Sequence, residues 1–255
     1  MRIKSFFSVV LVKAFLNLKS ETSNNKFSYM WWILEPLLHM SAYYFVFSFL
    51  LDRGGPGYGS FLLMGLVPWL WFSKTVNKAS FSLIQGRSLM NKMYILKIFF
   101  PITIVLQSLI KQVFVFAVLF FLIWGLGVEF SKESLWVILI IIVELLLILS
   151  VSLFFAVVVP FFRDFSIVVP IAMQFMMFCS GIFFSYKEVP ERLHAWFFLN
   201  PMAVVLKGFR DVLIDKTIPS FDELTYVVVF SIVLVLFSFC LYKKLDYKIA
   251  KAVLE

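Results

Sequence analysis

The sequence predicts an all-α integral membrane protein with six transmembrane helices. Hydrophobic residues make up 62% of the 255 residues and charged residues only 15%, whereas a soluble domain carries about 25% charged residues. The apolar runs are long and unbroken, which favours spanning helices over the short alternating strands of a barrel. Basic residues lie beside these runs, so the net charge of +8 does not indicate nucleic-acid binding. Cys179 and Cys240 both fall in apolar runs, so a disulfide framework is not expected.

An amphipathic helix is predicted at the N-terminus, over residues 1–20. Its apolar stripe consists of Ile3, Phe7, Val10, Leu11, Ala14 and Leu18, and the basic residues lie off that stripe. Lys13 interrupts the apolar core that a signal peptide needs, and no small-residue cleavage site follows. We therefore interpret the segment as an interfacial helix on the inner leaflet. A plain topology anchor explains the pattern equally well.

Six apolar segments are long enough to cross a bilayer as helices. They cover residues 31–51, 61–80, 99–124, 135–160, 167–186 and 224–242. The first opens with Trp31 and Trp32, and tryptophan is typical of a membrane interface. The second ends in a polar half, in which Lys74 and Lys78 stand four residues apart and share one face. That face is expected to meet water, headgroups or protein rather than lipid chains.

Two charged residues fall inside predicted spans and are the intramembrane polar candidates. Lys111, in the third span, continues a polar stripe with Thr103 and Gln107, and Glu144 lies in the fourth span. An intramembrane charge is costly and is by default a functional candidate. At 1.5 Å per residue the two lie roughly 20 Å and 14 Å from the outer ends of their spans, so they are able to pair. Such a pair would serve either as a structural clamp or as part of a translocation path.

A basic segment, residues 80–101, connects the second and third spans. It has no acidic residue and three basic ones, Arg87, Lys92 and Lys97. A basic connection between spans stays on the cytoplasmic side. We predict a short helix over 87–97, entered at Gly86 and stopped by Pro101.

One face of this predicted helix is apolar and consists of Leu89, Met93 and Leu96. That face is expected to rest on the membrane-embedded body, whereas Arg87 and Lys92 would meet a cytosolic partner. A loop that only sets the topology explains the spacing as well.

Residues 188–216 are too polar to span, and they split at Asn200-Pro201 into two short helical pieces. We predict an outer re-entrant hairpin, which is tolerated at membrane depth only where protein or water covers it. With both termini in the cytoplasm, more Lys and Arg residues fall inside than outside, as the positive-inside rule requires.

Several kinds of catalytic and binding motif are absent from the sequence. It contains no G-x-x-x-x-G-K-[ST] segment, so the chain has no P-loop with which to hold ATP. It contains no H-E-x-x-H segment and no Cys/His cluster. We therefore predict no catalytic residue, no metal site and no cofactor.

The order of these parts resembles the membrane permeases of type-2 ABC exporters for O-antigen, capsule and teichoic-acid polysaccharides. The resemblance rests on WWILEPLL in the first span, the basic segment ending LKIFFP, the RD pair after the fourth span, and VPERLHAWFFLNPMAVVLKGFRDVL on the outer side. The most specific part is NP-x(8)-R, from Asn200-Pro201 to Arg210. Together these features cover nearly the whole chain.

The resemblance implies a transporter subunit rather than an enzyme. Two copies would form a homodimer around a channel for lipid-linked polysaccharide in the bacterial cytoplasmic (inner) membrane, with two copies of a separate ATPase docked below. The basic segment would be the coupling helix. Its candidate contacts with the ATPase are Arg87, Asn91, Lys92 and Lys97.

The resemblance also implies an outer gate and an aromatic channel. The gate would be the hairpin, with Asn200, Pro201 and Arg210 as its key residues. The candidate channel aromatics, for which contact with lipid is the default interpretation, are Tyr43, Tyr44, Phe47, Phe175, Phe178, Phe183 and Phe184.

Two alternatives stand beside this interpretation. One is a type-2 permease for a drug, lipid or peptide, although such permeases often have larger outer domains. The other is a membrane-embedded transferase or scaffold with no ATPase, although the sequence shows no acidic or metal-ligating cluster at one face.

Overall fold

The computed structural model describes residues 3–24, 28–52, 54–55 and 57–254. In chain order the helices within these ranges are α1 (Ile3–Asn24), α2 (Ser28–Tyr44), α3 (Tyr58–Ser80), α4 (Ser82–Gln85), α5 (Arg87–Met90), α6 (Phe99–Gly125), α7 (Val137–Val158), α8 (Phe165–Cys179), α9 (Glu191–Phe198), α10 (Pro201–Leu213) and α11 (Phe221–Leu254). A π-helical segment, Phe45–Leu50, extends α2. Short 3-10 helices, Lys132–Trp136 and Tyr186–Glu188, precede α7 and α9.

The prediction of an all-α membrane protein is confirmed. Four helical stretches of the described chain are long and apolar enough to cross a membrane: Met30–Leu50, Phe99–Gly125, Lys132–Val158 and Phe221–Val253. The count of six spans stays a prediction, because α8 has only 15 residues and α3 is not among the four stretches.

The centre of the molecule is formed by α3 and α7. Most residues of α3 are buried, and the helix packs against α2, α6, α7, α8 and α10. Trp69 of α3 and Leu147 of α7 are among the largest fully buried side chains. Close packing of this kind stabilises helix association in a membrane, where burial from water contributes little. Most of the polar half of α3 is likewise buried in the protein, whereas Lys74 and Lys78 are exposed.

The N-terminal helix α1 packs along α6 through a stripe narrower than the predicted one. Val10, Ala14 and Leu18 are buried, whereas Phe7 and Leu11 of the predicted stripe are exposed. The side chain of Ile3 lies outside the described part of the chain. The exposed side also carries Val12, Phe15 and Leu16. The helix thus has a second apolar side, which suits contact with lipid.

Two helices end elsewhere than the predicted spans do. The fifth span was expected to reach residue 186, but α8 ends at Cys179, and Gly181 adopts a left-handed backbone with a φ of 72°. That conformation suits glycine and terminates helices. The sixth span was expected to end at 242, but α11 continues to Leu254 because Ile249 and Val253 are buried against the rest of the protein.

The predicted helix over 87–97 is not formed. The predicted range contains only the four-residue helix α5, which follows α4, and the chain is in a turn at residues 91–92 and irregular over residues 93–96. Pro101 does not stop a helix but lies in the first turn of α6, where its missing N–H costs little. Met93 and Leu96 are exposed rather than resting on the body. Gly86 is needed for close approach, because a Cβ there would lie 2.3 Å from the ring of Phe100.

Two names are used below for the ends of the molecule. The basic end consists of residues 82–98, which include α4 and α5, and of the C-terminal part of α11, which contacts them. The hairpin end consists of residues 185–214, which include α9 and α10, joined at Asn200.

Candidate functional site

Arg210 of α10 fixes the unwound residues that follow α8. Its Nη1 donates a hydrogen bond to the carbonyl of Gly181 at 2.6 Å, and its Nη2 donates to the carbonyl of Ile182 at 2.9 Å. Tyr58 of α3 donates its hydroxyl to the next carbonyl, that of Phe183, at 3.1 Å. Three successive carbonyls that a continued helix would have used internally are thus bound by side chains from two other helices. We call Ser180 to Phe183 with these partners the outer staple.

Asn200 binds the same segment from the corner between α9 and α10. Its Oδ1 accepts a hydrogen bond from the N–H of Met202 at 3.0 Å, and its Nδ2 donates to Ser180 Oγ at 2.8 Å. Pro201 occupies the first position of α10, where a proline is tolerated because that N–H needs no helical partner. The three residues predicted for the outer gate therefore come together at the outer staple.

Phe61 and Gly65 shape the space around the Arg210 guanidinium. The guanidinium carbon lies 3.5 Å from the centre of the Phe61 ring, a cation–π contact. A Cβ on Gly65 would lie 2.7 Å from Arg210 Nη2, so the glycine gives the guanidinium its space. Burial lowers the pKa of Arg210 to about 9, which leaves the group charged at neutral pH.

Phe183 is the centre of an aromatic cluster that joins α2 to α8. Its ring centre lies 4.8 Å from that of Tyr43, 4.9 Å from that of Phe47 and 5.4 Å from that of Phe178. Phe183 itself is only 7% exposed, so within one chain it is mainly a packing residue. Of the remaining aromatic candidates, Tyr44 and Phe175 are exposed, as Phe178 is, and the ring of Phe184 lies tilted at 6.0 Å from that of Phe197.

A groove of about 860 Å³ lies beside the cluster at the hairpin end. Its walls include the aromatic residues Phe47, Tyr58, Phe61, Phe183 and Phe184. Glu188 adds a carboxylate to the lining. A sugar-binding surface typically combines flat aromatic rings with hydrogen-bonding groups, and this groove has both.

At the basic end, the predicted coupling residues divide into two groups. Arg87, Asn91 and Lys92 are exposed. Lys97 is only 6% exposed, and its Nζ donates to Asp246 Oδ2 of α11 at 2.9 Å. Lys97 is thus a structural link to α11 rather than a side chain offered to a partner.

Tyr94 completes the link between the basic segment and α11. Its hydroxyl donates to the same oxygen of Asp246 at 3.4 Å, and its ring centre lies 4.6 Å from Lys97 Nζ. At the hairpin end α11 makes a second ion pair, in which Lys207 of α10 donates to Glu223 at 2.7 Å. One continuous helix therefore contacts both ends of the molecule through ion pairs.

The predicted pair between Lys111 and Glu144 is not formed. Lys111 binds Glu21 of α1, which also accepts a hydrogen bond from Lys78 at 2.6 Å. Burial alone would raise the pKa of Glu21, but the hydrogen bonds from Lys111 and Lys78 outweigh it and hold that pKa below its ordinary value. Glu144 is 0% exposed, and neither carboxylate oxygen has a hydrogen-bond partner among the described residues.

The family is decided by a sequence comparison. The profile described as ABC-2 type transporter matches residues 7–214, most of the chain. The chain belongs to the ABC-2 type transporter family. It is a membrane-embedded transporter permease, not an enzyme.

Curated members of the ABC-2 family match this chain at low identity and over nearly full length. The O-antigen export system permease protein RfbA of Klebsiella pneumoniae is 24% identical over 96% of this chain and 95% of its own length. The polysialic acid transport protein KpsM of Escherichia coli is 28% identical over 92% of this chain and 93% of its own. The RfbA protein of Myxococcus xanthus is 22% identical over 85% of this chain and 84% of its own.

Sequence reasoning missed three residues of this ABC-2 permease that hold its candidate sites together. Tyr58 completes the outer staple, Asp246 binds Lys97, and Glu21 binds Lys78 and Lys111. Asp246 is the one acidic residue in the basic stretch KKLDYKIAK. A single acidic residue in such a stretch indicates an ion pair with a basic residue elsewhere in the chain, and this signal could have identified it. Tyr58 and Glu21 follow no sequence pattern that we can identify.

Proposed function

We propose that this ABC-2 permease is the channel-forming subunit of an exporter that moves lipid-linked polysaccharide across the bacterial cytoplasmic membrane. The observation that carries the proposal is the match to O-antigen and polysialic acid transport proteins along nearly the whole of both chains. The permease acts as a homodimer, and a separate ATPase supplies the energy, since the chain has no P-loop motif.

The aromatic groove at the hairpin end is the proposed sugar contact. A polysaccharide is too polar to cross hydrocarbon, because each unsatisfied hydroxyl there is costly. Aromatic faces stack on the C–H surfaces of sugar rings while leaving the hydroxyls free to exchange hydrogen bonds. Contacts that are weak and repeated let a polymer enter and move on. Phe47, Tyr58 and Phe184 line the groove and are the first residues to test.

The basic end is the proposed site of coupling to the ATPase. Its position on the cytoplasmic side follows from the positive-inside rule. The exposed residues Arg87, Asn91 and Lys92 form the contact surface. Movement of this surface reaches α11 through the ion pair of Lys97 with Asp246.

The hairpin end is the proposed outer gate. In a homodimer, two copies of α9 and α10 would face each other above the channel. The outer staple fixes α10 to α3 and to the end of α8, so the gate moves only when these helices move.

The test is deletion of the gene followed by complementation in the source organism. We expect loss of surface polysaccharide and accumulation of the polymer in the cytoplasm, both restored by the intact gene. Unchanged surface polysaccharide together with a new sensitivity to drugs would favour the alternative of a drug, lipid or peptide permease. Failure of the tagged permease to co-purify an ATPase would favour a scaffold or transferase instead.

A further inference from the structure

A second cavity, of about 220 Å³, lies between α2, α3 and α6, near the end of α1. The sugar path proposed above does not use it. Its wall carries three lysines and two glutamines, Lys74, Lys78, Lys111, Gln107 and Gln112, together with Glu35, Thr75 and Ser108. Its volume is several times the roughly 30 Å³ that one water molecule occupies, which gives room for a phosphate group and the first atoms of its ester.

Two buried amide groups in this wall lack acceptors. The side chains of Gln107 and Gln112 are 2% and 6% exposed, and the Nε2 atom of each has no hydrogen-bond partner among the described residues. Gln107 is oriented by Asn17, whose Nδ2 donates to Gln107 Oε1 at 3.4 Å, so the amide nitrogen is the end without a partner. A buried donor left unpaired is costly, and a ligand that supplies acceptor oxygens removes that cost.

Within the described part of the chain, the ion pairs at the cavity contain one more cation than anion. Lys74 pairs with Glu35, and Lys78 and Lys111 both bind Glu21. Three ammonium groups and two carboxylates therefore sum to one positive charge. The phosphate of a lipid carries at least one negative charge at neutral pH, and its oxygens accept hydrogen bonds, so it supplies both a counter-charge and the missing acceptors.

The lining and the exposed mouth of the cavity suit a lipid headgroup. The cavity lies beside the first turns of α2 and the last turns of α3, and it reaches the middle of α6. Trp32 and Trp71 line it, and tryptophan gathers at membrane interfaces. The side chains of Lys74 and Glu35 are 47% and 45% exposed, so the mouth is accessible.

We propose that this cavity binds the phosphate group of a membrane lipid, with Gln107, Gln112 and the lysines donating to its oxygens. Two lipids share that chemistry: a phospholipid of the surrounding bilayer, and the phosphate-bearing lipid to which an exported glycan is attached. The site belongs to the permease itself and does not depend on which cargo is exported.

The experiment is native mass spectrometry of the purified permease in detergent, titrated separately with phosphatidylglycerol, a polyprenyl phosphate and diacylglycerol. We expect the two phosphate lipids to bind and diacylglycerol, which has no phosphate, to bind at least tenfold more weakly. The double variant Gln107→Leu/Gln112→Leu should weaken phosphate-lipid binding by about a hundredfold or more, because it removes two donors to a charged group. Lys132→Gln, an exposed lysine in the loop before α7, is the matched control and should bind as the native chain does.

Each outcome has a defined meaning. Tighter binding of phosphatidylglycerol assigns the site to the bilayer, tighter binding of the polyprenyl phosphate assigns it to the glycan carrier, and equal binding supports the shared phosphate chemistry. Diacylglycerol binding as tightly as the phosphate lipids would overturn the proposal, whether or not any variant folds. Gln112→Glu, which keeps the shape of the side chain and adds a negative charge, should also weaken phosphate-lipid binding. If neither Gln112→Glu nor the double leucine variant changed the binding, the proposal would likewise be overturned. Because the assay measures binding by the permease alone, its failure leaves the proposed export function untouched.

Discussion

Replacing Arg210 by methionine should destabilise the permease strongly, and the size of the effect follows from the outer staple. The guanidinium makes two short hydrogen bonds to backbone carbonyls, at 2.6 Å and 2.9 Å, and a longer one to Phe61 O at 3.4 Å. Hydrogen bonds from a charged donor contribute about 1.5–3 kcal/mol each. Since methionine keeps the aliphatic length but leaves both carbonyls without their donor, we expect a loss of about 3–5 kcal/mol.

Lysine at the same position should recover only part of this stability. A single ammonium nitrogen lacks the fork that lets Arg210 reach two carbonyls from two nitrogens, so Arg210→Lys should cost about half as much as Arg210→Met. The measurement is thermal and denaturant unfolding of the purified permease in one detergent. Arg192→Met, an exposed arginine of the same hairpin end, is the control and should change stability by less than about 0.5 kcal/mol. If Arg210→Met proved no worse than this control, the outer staple would not be a stabilising element.

Three further predictions concern charged residues elsewhere in the chain. Asp246→Asn should lower export per ATP hydrolysed, because it breaks the ion pair through which Lys97 links the basic segment to α11; exchanging the two residues should restore part of the ratio. Glu144→Met should leave the unfolding temperature unchanged or raise it, because a buried carboxyl group without a hydrogen-bond partner costs free energy that an apolar side chain of similar size avoids. Arg87→Glu with Lys92→Glu should uncouple ATP hydrolysis from export while membrane insertion stays normal, since both side chains are exposed at the basic end.

Each of these has a result that would contradict it. An unchanged export-to-hydrolysis ratio in Asp246→Asn would make the link to Lys97 irrelevant for coupling. A large loss of stability in Glu144→Met would mean that the carboxyl group has a role that the described contacts do not explain. Normal export in the Arg87→Glu/Lys92→Glu variant would move the coupling surface to another part of the permease.

The sequence predicted well the features that depend on local composition, and poorly those that depend on contacts between distant residues. Long apolar runs and the break at Asn200-Pro201 depend on local chemistry. The all-α class and the two short helices α9 and α10 could therefore be predicted from the sequence. The partner of Lys111 could not be predicted. The depth of a residue in the membrane does not give the rotation of its helix, and it gives no information about α1, which supplies Glu21.

The same distinction explains the errors at the two ends. The helix over 87–97 was predicted from apolar spacing, but burial of Lys97 against α11 and the close approach at Gly86 decide the local conformation. The end of α8 depends on Gly181 together with Arg210, which lies 29 residues further along the chain. No local pattern contains that pairing.

The continuity of α11 has a mechanical consequence. Glu223 and Asp246 lie on one unbroken helix, and at 1.5 Å per residue they are separated by roughly 35 Å along its axis. Because an α-helix resists compression, a displacement applied at Asp246 arrives at Glu223, and so at Lys207 of the hairpin end, without passing through a loop. A single stiff helix with an ion pair near each end would let movements at the two surfaces of the permease occur together across the full thickness of the membrane.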